Sequence, residues 1–235
     1  MKAISIMWTE GVEDLEARSA LIAVQKVVET MLHASQEKRL FLPGPDIYPF
    51  GTWIVPSIPR GQPYWGTQWY VDNSYDEGTQ QIIAPKFLEL VQAEPWQQAD
   101  PHYDLAIVEQ DLALEERLKG FISTLGLVMP GVATIVSVYQ LRAVEDLSLR
   151  LLSLQRLVSH CLGHLFQVPS PWREEDVEFS FGEKHCKGIC VMRHTPDLKK
   201  LVEQAVAEAQ GGVLFCDACR KDLLTLLVGS HFGFS

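Results

Sequence analysis

The sequence predicts an α+β fold in which a twisted mixed sheet packs against helices, one of them long and buried. Two observations support this prediction. The apolar run Tyr103–Val108 lies between polar flanks and has the length of a buried strand. Residues 145–166 carry leucines on nearly every side, which is typical of a helix inside the core.

The remaining elements follow from hydrophobic periodicity and from turn residues. They are helices over residues 11–38, 80–91, 196–210 and 217–228, strands at residues 53–55, 121–128 and 132–141, and a loop over residues 66–76. Residues 170–184 are charged and aromatic, so we expect a surface insertion there. No linker demands a second domain, and we expect one domain with subdomains over residues 1–168 and 169–235.

Composition restricts the class of partner. The net charge of −10 argues against nucleic acid and against an anionic membrane surface, because both select basic faces. Residues 1–20 are acidic and lack the apolar stretch of a signal peptide, and no run is apolar enough to span a membrane. The five cysteines are an odd number, and their spacing suits thiolate ligands in a reducing compartment. We therefore expect a cytoplasmic protein.

His160 and His164 lie four residues apart in the predicted long helix, so both rings leave the same face. At this spacing a helix offers two imidazole nitrogens to one zinc ion. The alternative is a pair of histidines that are solvated or hydrogen-bonded to carbonyl groups. Burial of the helix favours the ligand role, since buried rings without partners are costly.

Further metal-binding residue types follow this pair in a specific order. A third histidine precedes a cysteine directly, and a Cys-x-Met sequence and a Cys-x-x-Cys pair come after it: His185, Cys186, Cys190, Met192, Cys216 and Cys219. This order resembles the archaemetzincins, zinc peptidases of the metzincin clan that carry a methionine turn after the third histidine. The resemblance extends over residues 104–219 and is loose over the first hundred residues.

The resemblance implies a zincin-like fold with a long buried active-site helix and a small C-terminal subdomain that binds zinc. It implies a first zinc ion held by His160, His164 and His185, with Met192 as the hydrophobic floor beneath them. It also implies that the partner is a peptide or protein, as substrate or ligand.

Four cysteines are candidates for a second, structural zinc site. They form two short pairs separated by a predicted helix: Cys186 and Cys190, Cys216 and Cys219. Four thiolates close a tetrahedral zinc site, and Cys161 is the one other cysteine of the chain. The alternative is a set of four free or partly buried thiols.

The chain departs from the family pattern in four places. Cys161 stands where the glutamate follows the first histidine, and Gln167 stands where the pattern has glycine. The third histidine is expected at Ser170 but occurs at His185, and the loop between Cys186 and Cys190 is one residue short. We interpret residues 170–184 as an insertion that delivers His185 to the metal. The alternative is that His185 is a surface histidine and the first site is lost.

The missing glutamate decides the expected activity. A thiol at Cys161 is a poor general base, and loss of a general base typically costs about 10²–10⁴-fold in rate. Cys161 either fills the vacated space or coordinates the zinc itself. A carboxylate of the insertion is an alternative base: Glu174, Glu175, Asp176, Glu178 or Glu183.

The sequence therefore predicts a zinc-binding protein of the metallopeptidase family in which peptide hydrolysis is weak or lost. A rival prediction is a pseudoenzyme that binds peptides or proteins without cleaving them. A further rival is a scaffold in which zinc binds at the cysteines alone. The number of zinc ions per chain separates the scaffold from the other two.

Overall fold

A twisted five-stranded mixed sheet forms the centre of the protein. The computed structural model describes residues 1–53, 66–116, 120–180 and 182–233. The strands lie side by side in the order β2 (Ile47–Gly51), β1 (Ile4–Trp8), β5 (Tyr103–Val108), β9 (Ala133–Ser137) and β8 (Gly126–Met129). The first four are parallel, and β8 pairs antiparallel with β9. The predicted mixed sheet is confirmed.

Strand β5 separates two cores because its side chains alternate between the faces of the sheet. Leu105 and Ile107 join the core on one face, and Ala106 and Val108 join the core on the other. All six residues of the strand are buried. The predicted buried strand is therefore the centre of the fold.

Helices cover the first face of the sheet. They are α1 (Asp14–Glu37), α5 (Leu147–Leu165), α6 (Leu198–Gly211) and α7 (Asp217–Phe232). All four were predicted, because each has an apolar side at helical spacing. The Asp146 carboxylate caps α5 by accepting a hydrogen bond from the Leu149 amide at 2.9 Å. Within the described ranges, no helix is both long enough and apolar enough to cross a membrane.

The second face of the sheet carries smaller elements. They are α2 (Thr67–Ser74), α3 (Ala84–Gln92), α4 (Pro95–Ala99) and a four-stranded sheet of β3 (Tyr75–Asp76), β4 (Gln81–Ile83), β6 (Leu112–Glu116) and β7 (Gly120–Thr124). The predicted loop over residues 66–76 is wrong, since α2 buries Tyr70 and Val71 in the second core. The helix predicted over residues 80–91 begins four residues later than predicted, because β4 pairs with β6 first.

The strands also differ from the sequence prediction in three places. Strand β2 was missed because it contains Pro49, which is tolerated on this edge strand. Of the strand predicted at residues 53–55, Trp53 forms an isolated bridge with Gly66, and the other two residues lie outside the described ranges. The strand predicted over residues 121–128 divides at Leu125 into β7 and β8, which belong to different sheets.

The segment predicted as a surface insertion contains a hairpin of β10 (Val177–Ser180) and β11 (Glu183–Cys186). Its outer part is exposed, as Trp172 and Phe179 show. Its last strand runs inward, because His185 and Cys186 are buried. The insertion is therefore a surface structure that ends inside the protein, beside α5.

Candidate metal centres

Three imidazole rings meet between α5 and β11, and we call His160, His164 and His185 the three-histidine cluster. The ring centroids of His160 and His164 lie 4.6 Å apart, and each lies within 5.4 Å of the His185 centroid. Each ring offers one nitrogen, and these nitrogens lie within 4.8 Å of one another. The helix contributes two rings because they are one turn apart, and the hairpin contributes the third.

The hydrogen bonds of the cluster leave nitrogen atoms free for a metal ion. His160 Nδ1 donates to the Val191 carbonyl oxygen at 2.7 Å, so the lone pair of this ring is on Nε2. His164 Nε2 and His185 Nδ1 are buried and have no hydrogen-bond partner among the described residues. Buried polar atoms without a partner are rare in native proteins. A bound ion would satisfy them, so this donor set fits zinc.

The rings are neutral near pH 7, which is the form that binds metal. Burial lowers the pKa of His164 to about 3 and that of His185 to about 4. Burial also lowers the pKa of His160 well below its usual value, and the neighbouring His164 adds to this effect. A cation would therefore enter the cluster at neutral pH without first displacing protons from the rings.

Met192 packs against α5 at Gly163, between the turns that carry the two helical histidines. Its side chain is fully buried, and its sulfur and methyl group fill the space beside Gly163. Its carbonyl oxygen accepts a hydrogen bond from the Cys186 amide at 2.8 Å. The structure thus places Met192 as a packed support of the cluster, where the sequence predicted a floor.

Arg156 is part of the site's support and was missed from the sequence. The residue is 4% exposed, and its guanidinium pairs with the Glu208 carboxylate at 3.1 Å. It also donates to the carbonyl oxygens of Val191 and Arg193, at 3.4 and 3.2 Å. Because the Val191 carbonyl accepts a hydrogen bond from His160, Arg156 holds the segment 191–193 against α5. The one available signal was a charged residue on an apolar helix.

Cys161 faces the sheet edge and not the three imidazole nitrogens. Its sulfur lies 3.3 Å from the point that a Cβ atom at Gly126 would occupy, and it is not among the clustered donor atoms. Burial raises the pKa of this thiol to about 12, so it stays protonated. The structure therefore favours the interpretation that Cys161 fills space.

One carboxylate of the insertion reaches the three-histidine cluster. Glu183 Oε2 lies 3.5 Å from His164 Nε2, without a hydrogen bond between them. Burial raises the pKa of Glu183 to about 7. The other carboxylates considered from the sequence are exposed on the insertion: Glu174, Glu175, Asp176 and Glu178.

The end of α5 explains one departure from the family pattern. Gln167 has φ of +58°, so it occupies the left-handed region at the end of the helix, where a glycine is usual. Its amide donates to the His164 carbonyl at 2.9 Å. The backbone thus makes the turn that the glycine of the family pattern would make. Glutamine adopts this left-handed conformation although it is less favourable for a residue with a side chain.

The four cysteine sulfurs meet in a second group, the four-cysteine cluster. Cys186 Sγ lies 3.6 Å from Cys216 Sγ, and Cys190 Sγ lies 3.7 Å from Cys219 Sγ. A tetrahedral zinc site with bonds of about 2.3 Å has sulfur–sulfur edges of about 3.8 Å. These thiols form no disulfide, and all four sulfurs lie within 4.8 Å of one another. The geometry therefore fits a closed zinc site.

The surroundings of the four-cysteine cluster favour thiolates. Arg173 directs two guanidinium nitrogens at Cys219 Sγ, each 3.5 Å away. The Gly188 amide donates to Cys186 Sγ at 3.4 Å. Hydrogen bonds among the thiols lower the pKa of Cys186 and Cys216 and raise the pKa of Cys190 and Cys219. Cys216 also stands at the N-cap of α7, where a thiolate is favoured. Positive groups around the sulfurs would stabilise the net negative charge of a four-thiolate zinc complex.

A comparison with solved structures finds a crystal structure of archaemetzincin from Methanopyrus kandleri. It matches with a TM-score of 0.56 and 16% identity, over 97% of this chain and 96% of that one. The chain has the archaemetzincin fold. The match includes the first hundred residues, where the sequence resemblance is loose. No protein-family profile and no curated protein matches the chain.

Proposed function

We propose that this protein binds two zinc ions and hydrolyses peptide bonds slowly at the three-histidine cluster. The observation that carries the proposal is the convergence of His160, His164 and His185 in the archaemetzincin fold. Two of these rings, His164 and His185, have a buried nitrogen atom without a hydrogen-bond partner among the described residues. Three protein nitrogens leave one position of a tetrahedral zinc open, as in catalytic sites. The four-cysteine cluster has no open position and would be structural.

Each residue at the three-histidine cluster would have a separate role in hydrolysis. A bound zinc ion would polarise a peptide carbonyl and lower the pKa of its water to about 7. His160 would be oriented for this by the Val191 carbonyl, and Met192 would support the helix that carries it. Cys161 accepts no proton from water, because its thiol is buried and faces the sheet. With no carboxylate base at all, the rate would be about 10²–10⁴-fold lower than at a site with a helix glutamate.

Metal content tests the first half of the proposal. We expect elemental analysis to find two zinc ions in the wild type and one in His164→Ala, whose four-cysteine cluster is intact. A chelator that removes both ions should lower the unfolding temperature, because structural zinc binding is part of the folding free energy. One zinc ion in the wild type would contradict the proposal and support the scaffold.

Turnover tests the second half. A quenched fluorescent peptide library, incubated at high protein concentration, should be cleaved slowly by the zinc-loaded wild type. His164→Ala should abolish this cleavage, since it removes a zinc ligand and leaves the four-cysteine cluster intact. Cys161→Glu should accelerate it. Cleavage that persists in His164→Ala comes from a contaminant and would refute the hydrolytic function.

The second candidate is a protein that binds peptides or proteins at this site without cleaving them. The protonated, sheet-facing thiol of Cys161 favours it, because this position supplies no base. This candidate predicts two zinc ions and no turnover, even in Cys161→Glu.

A further inference from the structure

We propose that the Glu183 carboxylate acts as the general base at the three-histidine cluster, in place of the glutamate that is absent at Cys161. The inference rests on the proposed hydrolytic function and names a further catalytic residue for it. The general base would then lie on strand β11, which also carries His185, and not on helix α5 at position 161.

Strand geometry carries the first step. Glu183 and His185 are two residues apart in β11, and side chains at this spacing leave the same face of a strand. Lys184 points the other way and donates to the carbonyl oxygens of Pro171 and Arg173. The strand that presents His185 to the cluster must therefore present Glu183 on the same side.

Distances and burial carry the second step. Glu183 Oε2 lies 3.5 Å from His164 Nε2, one of the unpartnered nitrogens. The carboxylate also lies close enough to Cys161 to interact with its thiol electrostatically. Its side chain is 31% exposed, so one part contacts the cluster while another part reaches solvent. A carboxylate thus stands beside the position that lost one.

The position of the Glu183 carboxylate suits a general base and not a fourth metal ligand. The clustered donor atoms are the three imidazole nitrogens, without a Glu183 oxygen. In the step we propose, Glu183 accepts a proton from the attacking water while the water oxygen bonds to the peptide carbonyl carbon. The C–N bond then breaks, and the same proton passes from Glu183 to the leaving nitrogen. Water and peptide yield one acid and one amine.

Glu183→Gln tests the proposal, with Glu175→Gln as the matched control on the exposed part of the insertion. Glutamine keeps the size of the side chain and removes the base. We expect Glu183→Gln to lower the zinc-dependent rate by about 10²-fold. We expect it to retain two zinc ions per chain. Glu175→Gln should match the wild type.

Two further measurements test Glu183: the affinity for a zinc-binding inhibitor and the cleavage rate in a Cys161→Glu background. Acetohydroxamate should bind the zinc-loaded wild type more tightly than Glu183→Gln, because an adjacent carboxylate accepts a hydrogen bond from a zinc-bound hydroxamate. In a Cys161→Glu background, Glu183→Gln should change the rate by less than about threefold, since a helix carboxylate then supplies the base.

Three results would overturn the proposal. Loss of a zinc ion in Glu183→Gln would make Glu183 a metal ligand. A cleavage rate of Glu183→Gln equal to that of Glu175→Gln, or equal affinity of Glu183→Gln and the wild type for acetohydroxamate, would show that Glu183 is not the base. If the wild type binds two zinc ions but cleaves nothing, the hydrolytic function fails. The hydroxamate comparison then decides alone whether Glu183 faces the metal.

Discussion

Gly163 offers a direct test of how Met192 supports α5. This residue lies in α5 between the two helical histidines. A Cβ atom built on it would overlap Met192 Sδ, come within 2.8 Å of Met192 Cε and lie 3.5 Å from Phe215 Cε1. Met192 is fully buried within the first core, so its sulfur and methyl group must shift against packed neighbours. We therefore expect Gly163→Ala to strain the contact.

Two opposing effects set the magnitude. Replacing glycine by alanine inside a helix stabilises it by about 1 kcal/mol. Forcing an extra methyl group into a packed core costs about 1–3 kcal/mol. Overpacking wins, and Gly163→Ala should lower the free energy of unfolding by up to about 2 kcal/mol.

Urea unfolding at saturating zinc measures the effect, with Gly211→Ala as the control. Gly211 is the last residue of α6, and nothing lies within 4 Å of a Cβ atom built there. Its alanine variant should gain about 0.4–1 kcal/mol. The two variants should therefore differ by about 0.4–3 kcal/mol, and overpacking at Gly163 accounts for the difference.

A Gly163→Ala variant as stable as Gly211→Ala would refute the reasoning. The contact is tested separately in a Met192→Ala background, where the sulfur and methyl group are gone. In that background Gly163→Ala should stabilise the protein, because the new methyl group enters a cavity. If Gly163→Ala remains equally harmful there, its effect does not pass through Met192.

Two other predictions concern buried charge. Glu208→Leu leaves the Arg156 guanidinium buried without its carboxylate partner and should lower the free energy of urea unfolding by about 3–5 kcal/mol. The double variant Glu208→Leu, Arg156→Met should lose less, and an equally large loss would contradict this prediction. In the metal-free folded protein, burial lowers the pKa of His164 to about 3 and that of His185 to about 4. In the unfolded chain both histidines have a pKa of about 6.5, so between these values the unfolded state binds more protons than the folded state. Each ring therefore lowers stability by about 1.4 kcal/mol per unit as the pH falls from about 6.5 toward 4, and the raised pKa of Glu183 offsets one of them. Unfolding free energies that stay level from pH 7 to 5 would contradict this sign.

The parts predicted correctly from the sequence are those with a strong local pattern. The leucines of α5 predicted a buried helix, and the apolar run of β5 predicted a buried strand. Helix α2 was missed because its aromatic and polar residues have no clear period, and it forms by burying Tyr70 and Val71 in a core made by distant elements. Local propensity does not contain such packing.

The candidate site shows the same division. The spacing of His160 and His164 predicted that their rings share a helix face, and the structure brings His185 to them. Arg156 was missed because its partner Glu208 lies 52 residues away in the sequence. A buried ion pair between distant residues leaves no periodic signal in the chain.

The sequence by itself determined which side chains are available for metal chemistry and which of them share a helix turn or a short loop. Only the tertiary structure decided that β11 runs inward and places Glu183, alone among the carboxylates of the insertion, beside His164. The physical reason is that strand alternation sets which residues share a face, whereas packing against α5 sets where that face points. The base lost at Cys161 could be sought in the sequence, but its candidate replacement was distinguishable only in three dimensions.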